Sequence, residues 1–485
     1  PVASQASAPS PAAEQPGPAP RYTAKRSAGR GGRLLPASRR SPSERPGAAP
    51  QGRARIGVVL GAVAATLAVI LAIGYAVFAL RQGDGDTVAT QPTGAVTSAA
   101  TPSSEPETLS EQRLLTDTQA EALDPKATWS VTTTQTGIND NSPVATCLSK
   151  PTENETPAEK TMIRVLTGTG ARTLTTLQQA DLYPTKDEAA DVFGERSKPL
   201  GGCMVDKVYL DSAVLVSNLS NQAIGVTVTS NESEPSYHTV LMVQVGRMLN
   251  VFASATTDKP VSQAQMAKMA AGVVNTQCTV AVGLCADKPA VMQVVPPIGG
   301  DAPGLPVAAD IPVLKGQTGR WAPADVTQAH TTTGTSCEQY DFAKADGPTA
   351  RLGRTYILED DDTVKSTFGI DEVILTMRNQ SEATKLAEEL RGNLRKCGAR
   401  QPTAKVSGET TFDSVGAQRI KIQGTSFKIR QNSSETEAVT YRVTVSTAGT
   451  KVIYTFLPLE PNVDFTDKQW QDFNIRAGQR ATQIG

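Results

Sequence analysis

The chain has 485 residues, 20% of them charged and 5% aromatic, and a formal net charge of −1. That length is more than one core needs, so several regions are expected. Two histidines and three tryptophans argue against histidine-rich metal sites and against broad aromatic platforms.

Residues 1–55 are rich in Pro, Ala, Ser, Gly and Arg, with almost no large apolar side chain. Such a segment cannot bury enough surface to offset its ordering entropy, and it reads as a disordered tail. Next comes an uncharged run, Ile56 to Leu80. At 1.5 Å per residue it exceeds a hydrocarbon core of ~30 Å, and it has no polar face. A cleaved signal peptide would carry a shorter apolar region near the start. Residues 56–80 are therefore expected to form a single transmembrane helix in the lipid bilayer.

The flanks set its direction. Ten Lys/Arg against Glu14 and Glu44 precede the run, whereas Arg81, Asp84 and Asp86 follow it. Positive charge stays inside, which predicts a cell-membrane protein with a cytoplasmic N-terminus and extracytoplasmic C-terminal domains. The basic tail has a single aromatic residue, Tyr22, so no nucleic-acid partner is expected. Gly57 and Gly61 form a small-residue ridge on the span. Such a ridge allows close helix packing, and a homo-oligomer through it is an expectation.

Residues 81–110 are rich in Thr, Ser and Pro and read as a stalk. Two longer segments follow, 111–290 and 310–485, separated by a low-complexity stretch at 291–309 that reads as a linker. The two segments look like one domain written twice. Trp129 and Trp321 are 192 residues apart, Cys147 and Cys337 190, Cys203 and Cys397 194, Gly246 and Gly449 203, and Ser262 and Thr466 204. In each copy a strand–turn–strand pattern precedes a helix with a capping box: Ser262 with Gln265, and Thr466 with Gln469.

The first helix of copy one is expected at Thr185–Ser197, broken before Cys203 by Pro199 and a glycine pair. In copy two, extended stretches are expected at Arg351–Leu358 and Glu372–Met377. A helix follows at Ser381–Cys397, with Ala383, Leu386, Ala387, Leu390 and Leu394 at helical spacing. Strands are expected at Ala417–Ile422, Ala438–Ser446 and Lys451–Leu457, and a last helix at Thr466–Thr482. Short turns imply antiparallel pairing, and helices packed on one sheet face give an α+β class. The predicted architecture is two similar antiparallel-sheet-plus-helix domains, disulfide-stapled, after one transmembrane helix.

An extracytoplasmic location permits disulfides. The repeat pairs Cys147 with Cys203 and Cys337 with Cys397, each first cysteine before a strand and each second after a helix. Cys278 and Cys285 remain and are expected to pair. Copy two has no counterpart because the sequence ends at Gly485. Closing a loop of 56 residues restricts the unfolded chain by roughly 4 kcal/mol.

Catalytic motifs are missing. There is no phosphate-binding loop. Gly168-Thr-Gly170 lacks the third glycine of a dinucleotide fingerprint and reads as a hairpin turn. Ser336 lacks the final glycine of a nucleophile elbow. His238 and His330 lie far apart, at unmatched repeat positions, and read as ordinary histidines. Glu359–Asp362 lacks the spaced ligands of a calcium loop and reads as a solvated turn. No catalytic residue, metal ligand or cofactor is expected, and no ligand-binding residue can be named.

The layout of basic tail, single span, stalk and stapled ectodomain resembles actinobacterial membrane sensors. Arg113-Leu-Leu-Thr116, a cysteine before a strand, and the helix ending in cysteine at Leu390–Cys397 carry the resemblance. On these residues each copy is similar to the PknH-like extracytoplasmic sensor domain of mycobacterial serine/threonine kinases. That family implies intradomain disulfides and a cleft for a ligand. This sequence departs from it: no kinase motif precedes the span, and Phe193 and Leu200 stand where a tryptophan is expected. The resulting expectation is a noncatalytic protein with tandem sensor-like domains that recognise a small molecule or cell-envelope component. The alternatives are a structural or assembly module of the envelope and a carboxylate-dependent envelope hydrolase.

Overall fold

The computed structural model describes residues 108–484 apart from 232–233, 328–333, 435 and 462. The expected tail, span, Gly57, Gly61 and most of the stalk lie outside the described residues, as does His330. Among the described residues, no helix is long and apolar enough to cross a membrane.

The first repeat runs β1 (Thr128–Thr136), β2 (Lys160–Thr169), β3 (Leu174–Leu182), α1 (Lys186–Gly202), β4 (Val208–Ser217), β5 (Gln222–Ser230), β6 (Ser236–Val245), β7 (Met248–Thr256), α2 (Gln263–Gln277) and β8 (Ala290–Val294). The second runs β9 (Arg320–Pro323), β10 (Ala350–Glu359), β11 (Gly369–Thr376), α3 (Gln380–Arg395), β12 (Ala404–Val415), β13 (Lys421–Asn432), β14 (Ala438–Ala448), β15 (Lys451–Pro458) and α4 (Asp467–Ala481). The sheet orders are β1-β2-β3-β7-β6-β5-β4-β8 and β9-β10-β11-β15-β14-β13-β12. Apart from β8, the two are one topology, antiparallel throughout.

Register makes the match residue by residue. Trp129 stands opposite Gly168, and Trp321 opposite Leu358. Arg164 faces Gln178, and Arg354 faces Glu372. Leu182 faces Met248, and Thr376 faces Lys451. Both capping boxes on the last helices form. The disulfides are Cys147–Cys203, Cys337–Cys397 and Cys278–Cys285.

Several expectations need correction. The helices lie on both faces of each sheet. In β6, Leu241, Val243 and Val245 pack toward α2, while Val240 and Met242 pack toward α1. Central strands with two buried faces read as nearly continuous apolar runs, and one-sided packing cannot cover them. Helix α1 does not break at Pro199 but continues to Gly202. The proline removes one ladder bond, and the glycines serve close approach: a Cβ on Gly201 would lie 2.0 Å from the Pro297 carbonyl oxygen. Where a strand was expected at 417–422, residues 417–420 make a tight turn between strands β12 and β13, with Gln418 and Arg419 at φ 51° and 61°. Strand β12 escaped notice because it is largely exposed and shows no apolar alternation. Of β13, only Lys421 and Ile422 fell within an expected strand.

The boundary segments are also more ordered than composition suggests. Leu109, assigned to the stalk, is fully buried in the first core. The stretch 291–309 is not a free linker. It contributes most of β8, then buries Leu305, Val307 and Ala309. The turn at Glu359–Asp362 is only partly solvated. Asp361 is buried and accepts from the backbone N–H groups of Thr318 (2.8 Å), Gly319 (3.0 Å) and Thr363 (3.0 Å). Burial alone would raise its pKa. The bonds from Gly319, Thr363 and Thr318 outweigh that and hold it at about 2.

Candidate functional site

The site lies in the seam between the repeats. Helix α4 projects two arginines one turn apart, on the face that also buries Phe473 and Ala477. The Arg480 Nε and Nη2 donate to the two Asp310 carboxylate oxygens at 2.8 and 3.1 Å. Its Nη1 donates to the Pro297 carbonyl at 2.7 Å, and Nη2 also reaches the Gly201 carbonyl at 2.6 Å. The Arg476 Nη2 donates to the Leu210 carbonyl at 3.0 Å. Repeat two thus grips the end of α1, the start of β4 and the connecting segment. Arg480 and Asp310 are both buried, and such a pair is stable only when geometry and partners are complete.

Beside this lock is a cavity of about 290 Å³. Val205 and Val208 line it from repeat one, Val307 and Ile311 from the connection, and Trp321 and Pro323 from β9. The Cys147–Cys203 bridge pins the wall at Cys203. Asp206, Lys207, Asp301 and Arg320 lie on its lining, two charges of each sign. The interior is apolar and the lining charge-balanced, an arrangement suited to an uncharged, mostly apolar occupant. No nucleophile with its base is found among the named lining residues.

Behind the cavity wall is a second buried group. The Arg354 Nη1 donates to Asp301 at 2.9 Å. Tyr356 Oη lies 3.0 Å from Glu372 Oε2 and 3.1 Å from the Pro306 carbonyl. A phenol has one proton to donate, so both contacts are hydrogen bonds together only when Glu372 is protonated. Burial drives the Glu372 pKa up to about 8, with Asp310 adding to the rise and the Tyr356 bond and Arg354 opposing it. Glu372 Oε1, Arg354 Nε and Trp321 Nε1 find no hydrogen-bond partner among the described residues.

The other residues singled out in the sequence fall elsewhere. His238 sits on β6 with Nδ1 3.0 Å from the Thr146 hydroxyl and Nε2 3.1 Å from the Ser236 hydroxyl, a satisfied histidine. Ser336 bonds to Gln401 at 2.8 Å, beside the Cys337–Cys397 bridge. Trp129 and Trp470 are core residues. Trp321 belongs to its core and also lines the cavity. A separate acidic hollow in repeat one holds Glu155 and Asp181, but Arg196 binds both carboxylates.

No family model matches the chain, and no curated protein matches it. Three solved structures are similar to parts of it. The extracellular domain of PknH from Mycobacterium tuberculosis is 16% identical over 35% of this chain and 97% of that one, with a TM-score of 0.28. An acyl-CoA thioesterase II, TesB2, from Mycobacterium marinum is 9% identical over 59% and 92%, with a TM-score of 0.11. DynU16, from the dynemicin biosynthetic locus, is 6% identical over 65% and 80%, with a TM-score of 0.09. At these scores none of the three carries an argument about this chain's activity.

Sequence reasoning did not find Arg476, Arg480, Asp310, Arg354 or Glu372. A signal was present. At the matching positions of α2 stand Gly272 and Thr276, so two arginines replace small residues on a face that should meet the sheet.

Proposed function

We propose that this chain is a single-pass membrane protein, anchored by residues 56–80, whose two repeats lie outside the cytoplasm and act as one noncatalytic, sensor-like recognition unit. The observation that carries the recognition reading is the apolar seam cavity, walled by both repeats and their connection. An occupant there touches both repeats at once and stabilises one arrangement of them. The ligand would be a small molecule or a cell-envelope component. A signal would pass through a partner or through clustering along Gly57 and Gly61. The hydrolase alternative is disfavoured because Arg196 occupies the paired acids of the acidic hollow.

A thermal-shift screen of the full chain against envelope fragments tests the recognition reading. A ligand at 100 times its Kd adds about 2.7 kcal/mol of stability. Ile311→Trp, which fills the cavity, is expected to abolish the shift. An absence of stabilisers, or a shift that survives in Ile311→Trp, overturns the cavity reading. Protease shaving of intact cells tests the topology: the C-terminal repeats should be digested and residues 1–55 spared.

A further inference from the structure

Helix α2 ends in a small covalent loop. Cys278 and Cys285, 7 residues apart, are bonded. Between them Val282 and Leu284 point outward, 81% and 61% exposed. Large apolar side chains on a surface are ordinary when scattered. These two share a loop that allows little retreat.

The loop is fastened from every side. Gly283 N–H donates to the Cys278 carbonyl at 2.8 Å, and Ala281 N–H to the Gln277 carbonyl at 2.9 Å. Arg247 N–H donates to the Ala281 carbonyl at 2.9 Å, and Ala286 N–H to Asn275 Oδ1 at 2.8 Å. The backbone packs against the β6–β7 turn so closely that a Cβ on Gly283 would lie 2.4 Å from the Gly246 nitrogen. Val282 has φ 51°, a left-handed conformation that a β-branched residue rarely adopts. The fold thus holds a valine outward in a backbone state where glycine or asparagine would be less strained. From Cys278 to Ala286 the sequence has no charge, so bringing it to an apolar phase strips no ion of water.

The position of the loop suggests its occupant. The chain enters the described fold at its stalk-side end, where Leu109 is buried in the same core cluster as Cys278. Arg113 is tied to the last turn of α2: its guanidinium donates to the Thr276 carbonyl, and Gln277 Nε2 donates to the Arg113 carbonyl at 2.8 Å. The loop therefore leaves α2 beside the N-terminal segment of the described fold. Only 27 residues, 81–107, separate that segment from residue 80, a contour of no more than about 95 Å.

We infer that the Cys278–Cys285 loop is a lipid-surface wedge that seats repeat one on the outer face of the bilayer holding residues 56–80. The inference rests on the membrane-anchored reading above. Two apolar side chains bind a bilayer weakly on their own, but the tether supplies a high effective concentration, so a small apolar area suffices.

The test uses the full chain reconstituted in phosphatidylcholine vesicles. Leu284→Trp adds an indole whose emission, taken as the difference from the parent chain, should shift to shorter wavelength. Brominated acyl chains should quench it, and the shift and quenching should be lost in detergent. In the unsubstituted chain, nitroxide-labelled lipid should broaden the Val282 and Leu284 methyl resonances in nanodiscs, a readout that needs no variant to fold. A water-exposed, unquenched indole and unbroadened methyls in a chain that co-purifies with its vesicles overturn the wedge while leaving the anchor standing. Protection that appears only after a membrane-protein fraction is added overturns lipid in favour of a protein partner. A chain that does not partition into vesicles overturns the anchor itself, and the wedge with it.

Discussion

The two repeats share a backbone plan but treat their buried polar groups differently. In repeat one, neutral amides form an unbroken chain. The Leu115 N–H donates to Gln178 at 2.6 Å, Gln178 to Asn250 at 2.8 Å, Asn250 to Gln277 at 2.8 Å, and Gln277 to the Arg113 carbonyl at 2.8 Å. In repeat two the position of Gln178 holds Glu372, with one carboxylate oxygen unpartnered among the described residues. The tryptophans follow the same rule. Trp129 Nε1 donates to the Asp124 carbonyl at 3.2 Å, while Trp321 Nε1 has no acceptor among the described residues. In repeat one this amide chain is closed from Leu115 to Arg113, although Gln263 Oε1 elsewhere in the repeat has no partner among the described residues. Repeat two keeps a titratable acid and unsaturated donors beside the seam, and each unsatisfied buried group costs stability.

The sharpest way to break this comparison is to remove the lock that only repeat two supplies. Arg480→Ala removes both guanidinium hydrogen bonds to the buried Asp310, leaving it the longer ion-pair contact to Arg476 at 3.7 Å, and should cost ~3–5 kcal/mol in urea unfolding. The matching change in repeat one, Thr276→Ala, should cost no more than about 1 kcal/mol. Equal losses would mean that the seam is not specially held.

Glu372→Gln makes repeat two resemble repeat one. The folded pKa of Glu372, about 8, lies above its ordinary 4.5, so the folded state holds the proton more tightly. Its contribution to stability is complete below about pH 4.5 and declines as pH rises to about 8. At ~1.4 kcal/mol per unit, the decline amounts to a few kcal/mol. Glu372→Gln should flatten the stability profile between pH 5 and 8 and exceed the parent's stability at pH 9. Unfolding free energies measured across that range check it.

A smaller effect is expected at Asp361, where the sign is opposite. Its pKa is depressed to about 2 from 3.8. The stabilisation is present above about pH 4 and is lost as pH falls toward 2. Asp361→Asn should remove ~1–2 kcal/mol at neutral pH, allowing for partial solvent screening. The difference from the parent should vanish near pH 2 in the same unfolding series.

Much of the plan could be read from residues alone. Cysteine spacing and the repeat offsets predicted the three bonded pairs, because matched helices and strands bring matched cysteines together. The capping boxes at Ser262 and Thr466 are local hydrogen-bond patterns, independent of the rest of the fold. Strand β12 was not legible, because an exposed edge strand has no apolar period. The packing of the linker 291–309 was not legible, because proline and glycine mark a flexible linker and a tightly packed crossing equally well.

Local chemistry, written in neighbouring residues, determined the element types in most places, the cysteine bookkeeping and the doubling of one design. Only the tertiary structure decided which face of α4 meets the connection, that Asp310 lies between two arginines 166 and 170 residues further along the chain, and that a cavity opens where the repeats join. These features depend on sheet register and on the angle at which two modules pack. Both are set by surfaces distant in sequence, which no window along the chain contains.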